Sequence, residues 1–263
     1  MLPTAWKGSR STSSMIHAVQ LGTVDYGTAL RLQQSLVELH KHGRTEDVLL
    51  LLEHPPVITL GRNAQQVNIL HPEDELARRG IEVFECDRGG DVTFHGPGQL
   101  VAYPIFDLRG FTPRLGAVEF VRRLEEVLIR TCSEFGVEAM RVAGRTGVWT
   151  RAEKKIAAIG VHISRGVTSH GLALNVSTDL NYFKLIVPCG IADKAVTSMA
   201  VELGRDIGIA DVIPIVMRGF AEVFNCQVAE IESLDGLLGQ KIGVPMKPPG
   251  ELRALFEDEV FWS

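Results

Sequence analysis

The chain has 263 residues, 45% of them hydrophobic, with 27 basic against 32 acidic side chains and a net charge of −5. That length and apolar content suffice to bury a sizeable core in a single domain, and the acidic balance speaks against general nucleic-acid binding, which needs clustered Lys and Arg. No apolar run approaches the ~20 residues that span a bilayer, and four scattered cysteines, Cys86, Cys132, Cys189 and Cys226, make no metal-type spacing. A cytoplasmic protein with no metal, no membrane contact and no nucleic-acid partner is the expectation.

Residues 1–15 are polar, lack the apolar core of a secretory signal, and read as a disordered tail. Residues 16–21 then suggest an edge strand. Over 25–42, Ala29, Leu30, Leu32, Leu36 and Leu39 recur at helical spacing, between Asp25 at the start and Gly43 at the end. The run DVLLLLE at 47–53 predicts a buried strand, stopped by His54, Pro55 and Pro56, with extended chain resuming over 57–60. A short helix over 73–79 closes at Gly80, and 81–86 alternates as a strand.

Residues 88–99, RGGDVTFHGPGQ, read as a loop or elaborate hairpin, followed by a strand over 100–106. The clearest helix is 117–135, with Val118, Val121, Leu124, Leu128 and Cys132 on one face and Gly136 as its stop. Strands are expected over 147–150, 155–162 and 170–175, and helices over 197–208 and 211–224. Residues 227–263, with Pro245, Pro248 and Pro249, read as a weakly structured extension of the same domain, whose body is 16–226. Strands arriving singly and in pairs between helices give an α/β (α+β) class, a mixed sheet flanked by helices, with one face covered.

Chemistry concentrates in three places. Cys189 sits between Pro188, which fixes its own φ, and Gly190, which permits a sharp turn. Such a corner presents either a small buried hydrophobe or an exposed nucleophile. Cys86, Cys132 and Cys226 lie in or beside apolar segments and read as structural. Lys155 opens the apolar run IAAIGVHI, as a solvated strand edge or as a partly desolvated base for a thiol. His95 and His170 are alternative bases or hydrogen-bond donors. The loop at 88–99 matches neither of the glycine-rich phosphate-binding patterns, so it reads as a substrate-lining element without nucleotide.

In order along the chain, HPPVITLG at 54–61, RGGDVTFHGPGQLVAYPI at 88–105, KIAAIGVHI at 155–163, HGLALNV at 170–176 and VPCGI at 187–191 resemble the motifs of the lipoyl(octanoyl) transferases. More distantly the chain is similar to the lipoate- and biotin-protein ligases, which implies their biotin/lipoate-protein ligase-like fold for the catalytic domain at 16–226. By the resemblance, Cys189 is the acyl-accepting nucleophile and Lys155 its catalytic partner, with His170 a possible auxiliary. It places Arg88, Gly89, Gly90, Asp91, Val92, Thr93, Phe94 and His95 along the acyl chain. Ala158, Ile159 and Gly160, with Gly171, Leu172 and Ala173, are placed there too. Small residues on two neighbouring strands suit an alkyl chain lying flat, so enlarging Gly160 or Ala173 is expected to impair long chains before short ones.

The implied donor is octanoyl-acyl carrier protein. The implied acceptors are apo lipoyl domains of 2-oxoacid dehydrogenase E2 subunits and the glycine cleavage H protein. No cofactor is implied, because a thioester is already activated. Two departures stand out: Val187 occupies a place where asparagine is common, and residues beyond about 226 fall outside the resemblance. Alternatives are an ATP-dependent acyl ligase, a Cys-His thioester hydrolase and a non-catalytic acyl-binding module.

Overall fold

The computed structural model describes residues 15–187 and 195–235. Its main element is an eight-stranded mixed sheet. In chain order its strands are β1 (Met15–Thr23), β2 (Asp47–Glu53), β6 (Gln99–Ile105), β7 (Ala139–Val142), β8 (Arg145–Thr150), β9 (Lys155–Ser164), β10 (Val167–Asn175) and β11 (Gln227–Glu230). They lie side by side as β11-β1-β2-β6-β10-β9-β8-β7. β1 pairs in parallel with both β11 and β2, and from β2 onward every pairing is antiparallel. A second sheet of three strands, β3 (Val57–Leu60), β4 (Glu82–Glu85) and β5 (Val92–His95), has the order β4-β3-β5.

Period-two alternation assigns each strand residue to a face. Leu49, Leu51, Leu100, Ala102, Leu172 and Leu174 pack in one cluster with α3 (Ala117–Glu134) and α5 (Ile209–Phe224). Val48, Leu50, Leu52, Val101, Tyr103 and Ala173 pack on the opposite side with Ala29, Leu32 and Leu36 of α1 (Tyr26–Lys41). Both faces of the large sheet are therefore covered, correcting the one-faced arrangement expected from sequence. A third cluster fills the space under the small sheet with Leu76 of α2 (Glu73–Arg78) and Leu185.

Local signals set the helix ends. Asp25 caps α1, its carboxylate accepting the Thr28 N–H at 2.9 Å, and Gly43 beyond it has φ +66°. In α3 the buried face is rotated from the expected one. Val118 is 76% exposed, while Phe120, Leu124, Val127, Leu128 and Cys132 are buried. The pattern is disguised because Arg123 and Glu125 are buried too. Arg123 stacks over Phe111 and Phe224, and Glu125 accepts from Arg122 at 2.7 Å and Arg141 at 3.1 Å.

Other differences have equally local causes. The first strand is no edge, since β11 pairs alongside it, and the stretch read as unstructured from 227 begins with that strand. The helix expected over 197–208 is the five-residue α4 (Met199–Leu203), ended by Gly204 at φ +63°. β5 and β7 were not expected: β5 lies inside the glycine-rich stretch, and β7 is four residues long. Among the described residues no helix is long and apolar enough to cross a membrane, and no His/Cys/Asp/Glu cluster is arranged to hold a metal ion.

Candidate active site

A narrow cleft, open to solvent on one side, lies between the α1-side face of the large sheet and the small sheet. Pairing of β10 with β9 places Gly171 opposite Gly160 and Ala173 opposite Ala158, a patch of small side chains that line it. β6 adds Tyr103; across from them come Arg88 to Val92 and the Thr93 and His95 positions of β5. Lys155, Ile159, Leu172 and His170 complete the wall.

The close approach of backbones explains two glycines. A Cβ on Gly160 would stand 2.6 Å from the Gly89 carbonyl oxygen, and one on Gly171 would stand 2.2 Å from that of Ala102. Gly89 is tied to β9 by its N–H to Val161 O at 3.0 Å. Arg88 and Asp91 brace this loop. Arg88 Nη2 donates to Thr59 O (2.7 Å) and Oγ1 (2.9 Å), and Asp91 accepts from Asn68 Nδ2 (2.7 Å) and the Val92 N–H (2.7 Å). Phe94 behaves differently from its neighbours. Its side chain is fully buried under the small sheet, stacked on Tyr182 with ring centroids 4.6 Å apart, and it does not line the cleft. Alternation along β5 is the reason: Thr93 and His95 face one way and Phe94 the other.

His95 and His54 form a neutral polar cluster with Tyr26 and Tyr103. His54 Nδ1–H donates to Val24 O at 2.6 Å, which leaves Nε2 to accept the Tyr103 hydroxyl at 2.7 Å. A chain of amides fixes His95 in the same tautomer. Asn175 Nδ2 donates to Thr197 O (2.9 Å), Gln99 Nε2 to Asn175 Oδ1 (2.9 Å), and His95 Nδ1–H to Gln99 Oε1 (2.7 Å). Both imidazoles resist charging: burial holds His54 down at about 4, and burial with the nearby His54 holds His95 at about 3. Burial likewise raises the Tyr26 and Tyr103 phenols, so both keep their protons.

These depressed values make stability pH-dependent in a definite direction. An imidazole with a folded pKa below its unfolded ~6.5 is neutral in the fold while the unfolded chain takes up a proton, so stability is lost as pH falls below ~6.5. At pH 4.5 the cost is on the order of 2–3 kcal/mol per histidine. Urea unfolding at pH 7 and pH 4.5 is expected to show that loss, roughly halved in His95→Asn. Equal stability of the wild type at the two pH values would contradict it.

Lys155 stands at the other end of the small-residue patch. Its Nζ lies 5.5 Å from the centre of the Trp149 ring, its N–H donates to Ala195 O at 2.9 Å, and its carbonyl accepts from the Thr197 N–H at 2.9 Å. Cys189 lies outside the described residues. On its near side in sequence, the Val187 N–H donates to Asn68 O at 2.8 Å. Cys132 is fully buried and its thiol is pushed up to about 12 by burial, while Cys86 and Cys226 are half-buried.

His170 departs from strand geometry. Its φ of +54° is rare for a residue with a side chain, and it re-aims the imidazole from the face shared by Leu172 and Leu174 to the α1 side. There Nε2 meets Asp87 at 2.7 Å, and the His170 N–H donates to Gln33 Oε1 at 2.7 Å. The hydrogen bond from His170 holds the Asp87 carboxyl down at about 2. Sequence reasoning passed over Tyr26, Tyr103, Asp87, Gln99 and Asn175. Asp87 adjoins the conspicuous Arg88, and Gln99 closes the glycine-rich stretch, but nothing local marks the others.

Residues 25–221 match the Lipoyl protein ligase A/B catalytic domain family. An octanoyltransferase of Koribacter versatilis is 59% identical over 248 residues, covering 94% of this chain and 99% of that protein. An octanoyltransferase of Acidobacterium capsulatum is 56% identical over 236 residues, covering 85% of this chain and 96% of the relative. The first match reaches past residue 226, so likeness to a relative extends into the C-terminal stretch that the motifs left out. Among solved structures, lipoate-protein ligase A bound with ATP superposes with a TM-score of 0.65 at 17% identity, over 86% of this chain and 93% of that one, a likeness of fold. On the identity and extent of these matches, the chain belongs to the lipoyl protein ligase A/B catalytic-domain family, among its octanoyltransferases.

Proposed function

We propose that the protein moves an octanoyl group from the thioester of octanoyl-acyl carrier protein, through Cys189, onto a lysine of an apo lipoyl domain. The acceptors are lipoyl domains of 2-oxoacid dehydrogenase E2 subunits and the glycine cleavage H protein. The Cys189 thiolate attacks the thioester carbonyl; the new C–S bond forms as the carrier's C–S bond breaks, and the carrier thiol leaves with a proton. The acceptor's neutral amine then attacks the Cys189 thioester, forming the amide and releasing the thiolate. Lys155 takes the proton first from Cys189 and later from the incoming amine. The reaction takes place in the cytoplasm, and the activated thioester removes any need for ATP.

The observation that carries this reading is the position of Lys155. It lines a cleft walled by small residues, and its strand pairs with residues 195–197, the chain that follows Cys189. Intact mass after mixing the protein with octanoyl carrier should rise by one octanoyl group on Cys189, and the group should be lost on adding lipoyl domain. No adduct, or an adduct discharged only to free octanoate, would overturn the reading, the second outcome in favour of a hydrolase.

The cleft wall gives a further expectation. Ala173→Val should lower octanoyl transfer roughly tenfold, because the added methyl volume enters the wall along which the alkyl chain runs. Gly160→Ala should impair both donors alike, since its methyl meets the Gly89 carbonyl and displaces the loop. A rate series with C4 and C8 donors checks both, and an unchanged octanoyl rate in Ala173→Val would place the chain elsewhere.

A further inference from the structure

We infer that His170 is the end wall of the acyl cleft and sets the length of chain the enzyme accepts; this rests on the function proposed above. His170 is the residue that lines both the cleft and a second, open cavity on its far side. That second cavity is bounded by Leu30, Gln33, Val37 and Lys41 of α1, and by His162 and Ser169. The side chain of His170 separates the two spaces and is itself only 2% exposed.

The position along the strands fits this role. Lys155, at the reacting end, begins β9, and Val161, six residues on, pairs with His170. Six strand residues span about 20 Å. An eight-carbon chain built from C–C bonds of about 1.5 Å zigzags over about 9 Å, and the lysine side chain and the thioester group occupy part of the remainder. A chain anchored at the Lys155 end therefore runs along Ala158, Ala173, Gly160 and Gly171 toward the His170 ring.

The ring is held as a wall must be. Its left-handed backbone turns it into the cleft, Gln33 binds its N–H, and Asp87 binds Nε2. Nδ1 has no hydrogen-bond partner among the described residues, so Asp87 alone fixes the ring's polar edge. The Tyr103 ring meets it edge-on with centroids 6.4 Å apart. A residue kept in a conformation that favours glycine, and braced from two other elements, is present for its side chain.

The test is acyl transfer by the full chain with a series of carrier thioesters from C6 to C16. His170→Gly accepts the positive φ and removes the ring, joining cleft and cavity. The ratio of kcat/KM for C12 or C14 over C8 is expected to rise at least tenfold. Leu30→Trp, which fills the second cavity, should leave the wild-type ratio alone and cancel the rise when combined with His170→Gly. Asp87→Ala keeps the backbone and frees the ring, and it should shift the ratio in the same direction by a smaller factor. It serves also if His170→Gly fails to fold. A wild type that forms the Cys189 adduct, with an unchanged chain-length profile in the soluble variants, would overturn this inference and leave the transfer reading standing. Failure of the wild-type adduct would instead remove the transfer reading itself.

Discussion

Cys189→Ser should abolish octanoyl transfer, with a loss of roughly 10³-fold or more, because an alcohol at neutral pH is neither ionised nor a comparable nucleophile. The octanoyl mass adduct should vanish with it. Serine at Cys86 or Cys226, both half-buried, should keep near-normal rates. Cys132→Ser should keep the rate per folded molecule at some cost in stability, since its thiol is fully buried in the cluster under α3 and a hydroxyl there needs a partner. Thermal melts beside the rates separate the two effects. Full transfer by Cys189→Ser would rule out the covalent route.

The second large effect concerns Lys155. Lys155→Ala is expected to reduce transfer by 10²–10⁴-fold, the range for losing a positioned base. It should also slow iodoacetamide labelling of Cys189 at neutral pH and move the pH midpoint of labelling up toward that of a free cysteine. Lys155→Arg should not rescue, because a guanidinium keeps its charge but does not accept a proton. The histidines are weaker candidates on physical grounds. His95 spends Nδ1–H on Gln99 and is held at about 3, so it does not take up a proton near neutrality. His170 sits toward the opposite end of the small-residue patch, its Nε2 engaged by Asp87. A shifted labelling midpoint in His95→Ala or His170→Ala, with none in Lys155→Ala, would transfer the role of base to that histidine.

The elements most legible in the sequence were those whose pattern is set by one strong burial demand. DVLLLLE announces β2 because both of its faces are covered, and α1 announces itself through Asp25, its leucine spacing and Gly43. The fold class and family were legible through separated motifs. Short strands were not: β5 is hidden among glycines and prolines, and its pairing with β3 depends on residues 32 to 38 positions away. The polar interior was invisible for a related reason. His54, His95 and Tyr103 come from different segments and meet only once the small sheet is seated over the large one. That the Phe94 side chain faces away from the cleft was not legible, because a motif carries no information on which way each side chain faces.

The pairing of β11 beside β1 has a consequence for how the molecule is made. The outermost rung of the large sheet on that side unites residues 15–18 with residues 227–230, nearly the first and the last of the described chain. At translation speeds of about 5–20 residues per second, roughly 10–40 s separate the emergence of these two partners. During that interval the outer flank of β1 offers unsatisfied amides and carbonyls to any neighbouring chain. Polypeptides halted or clipped before residue 227 keep that flank open for good, and they are expected to associate more readily than the chain that carries β11. The final rung is thus a late addition that leaves only the short, four-residue β11 as the edge on that side, on a domain whose candidate cleft is built from earlier strands.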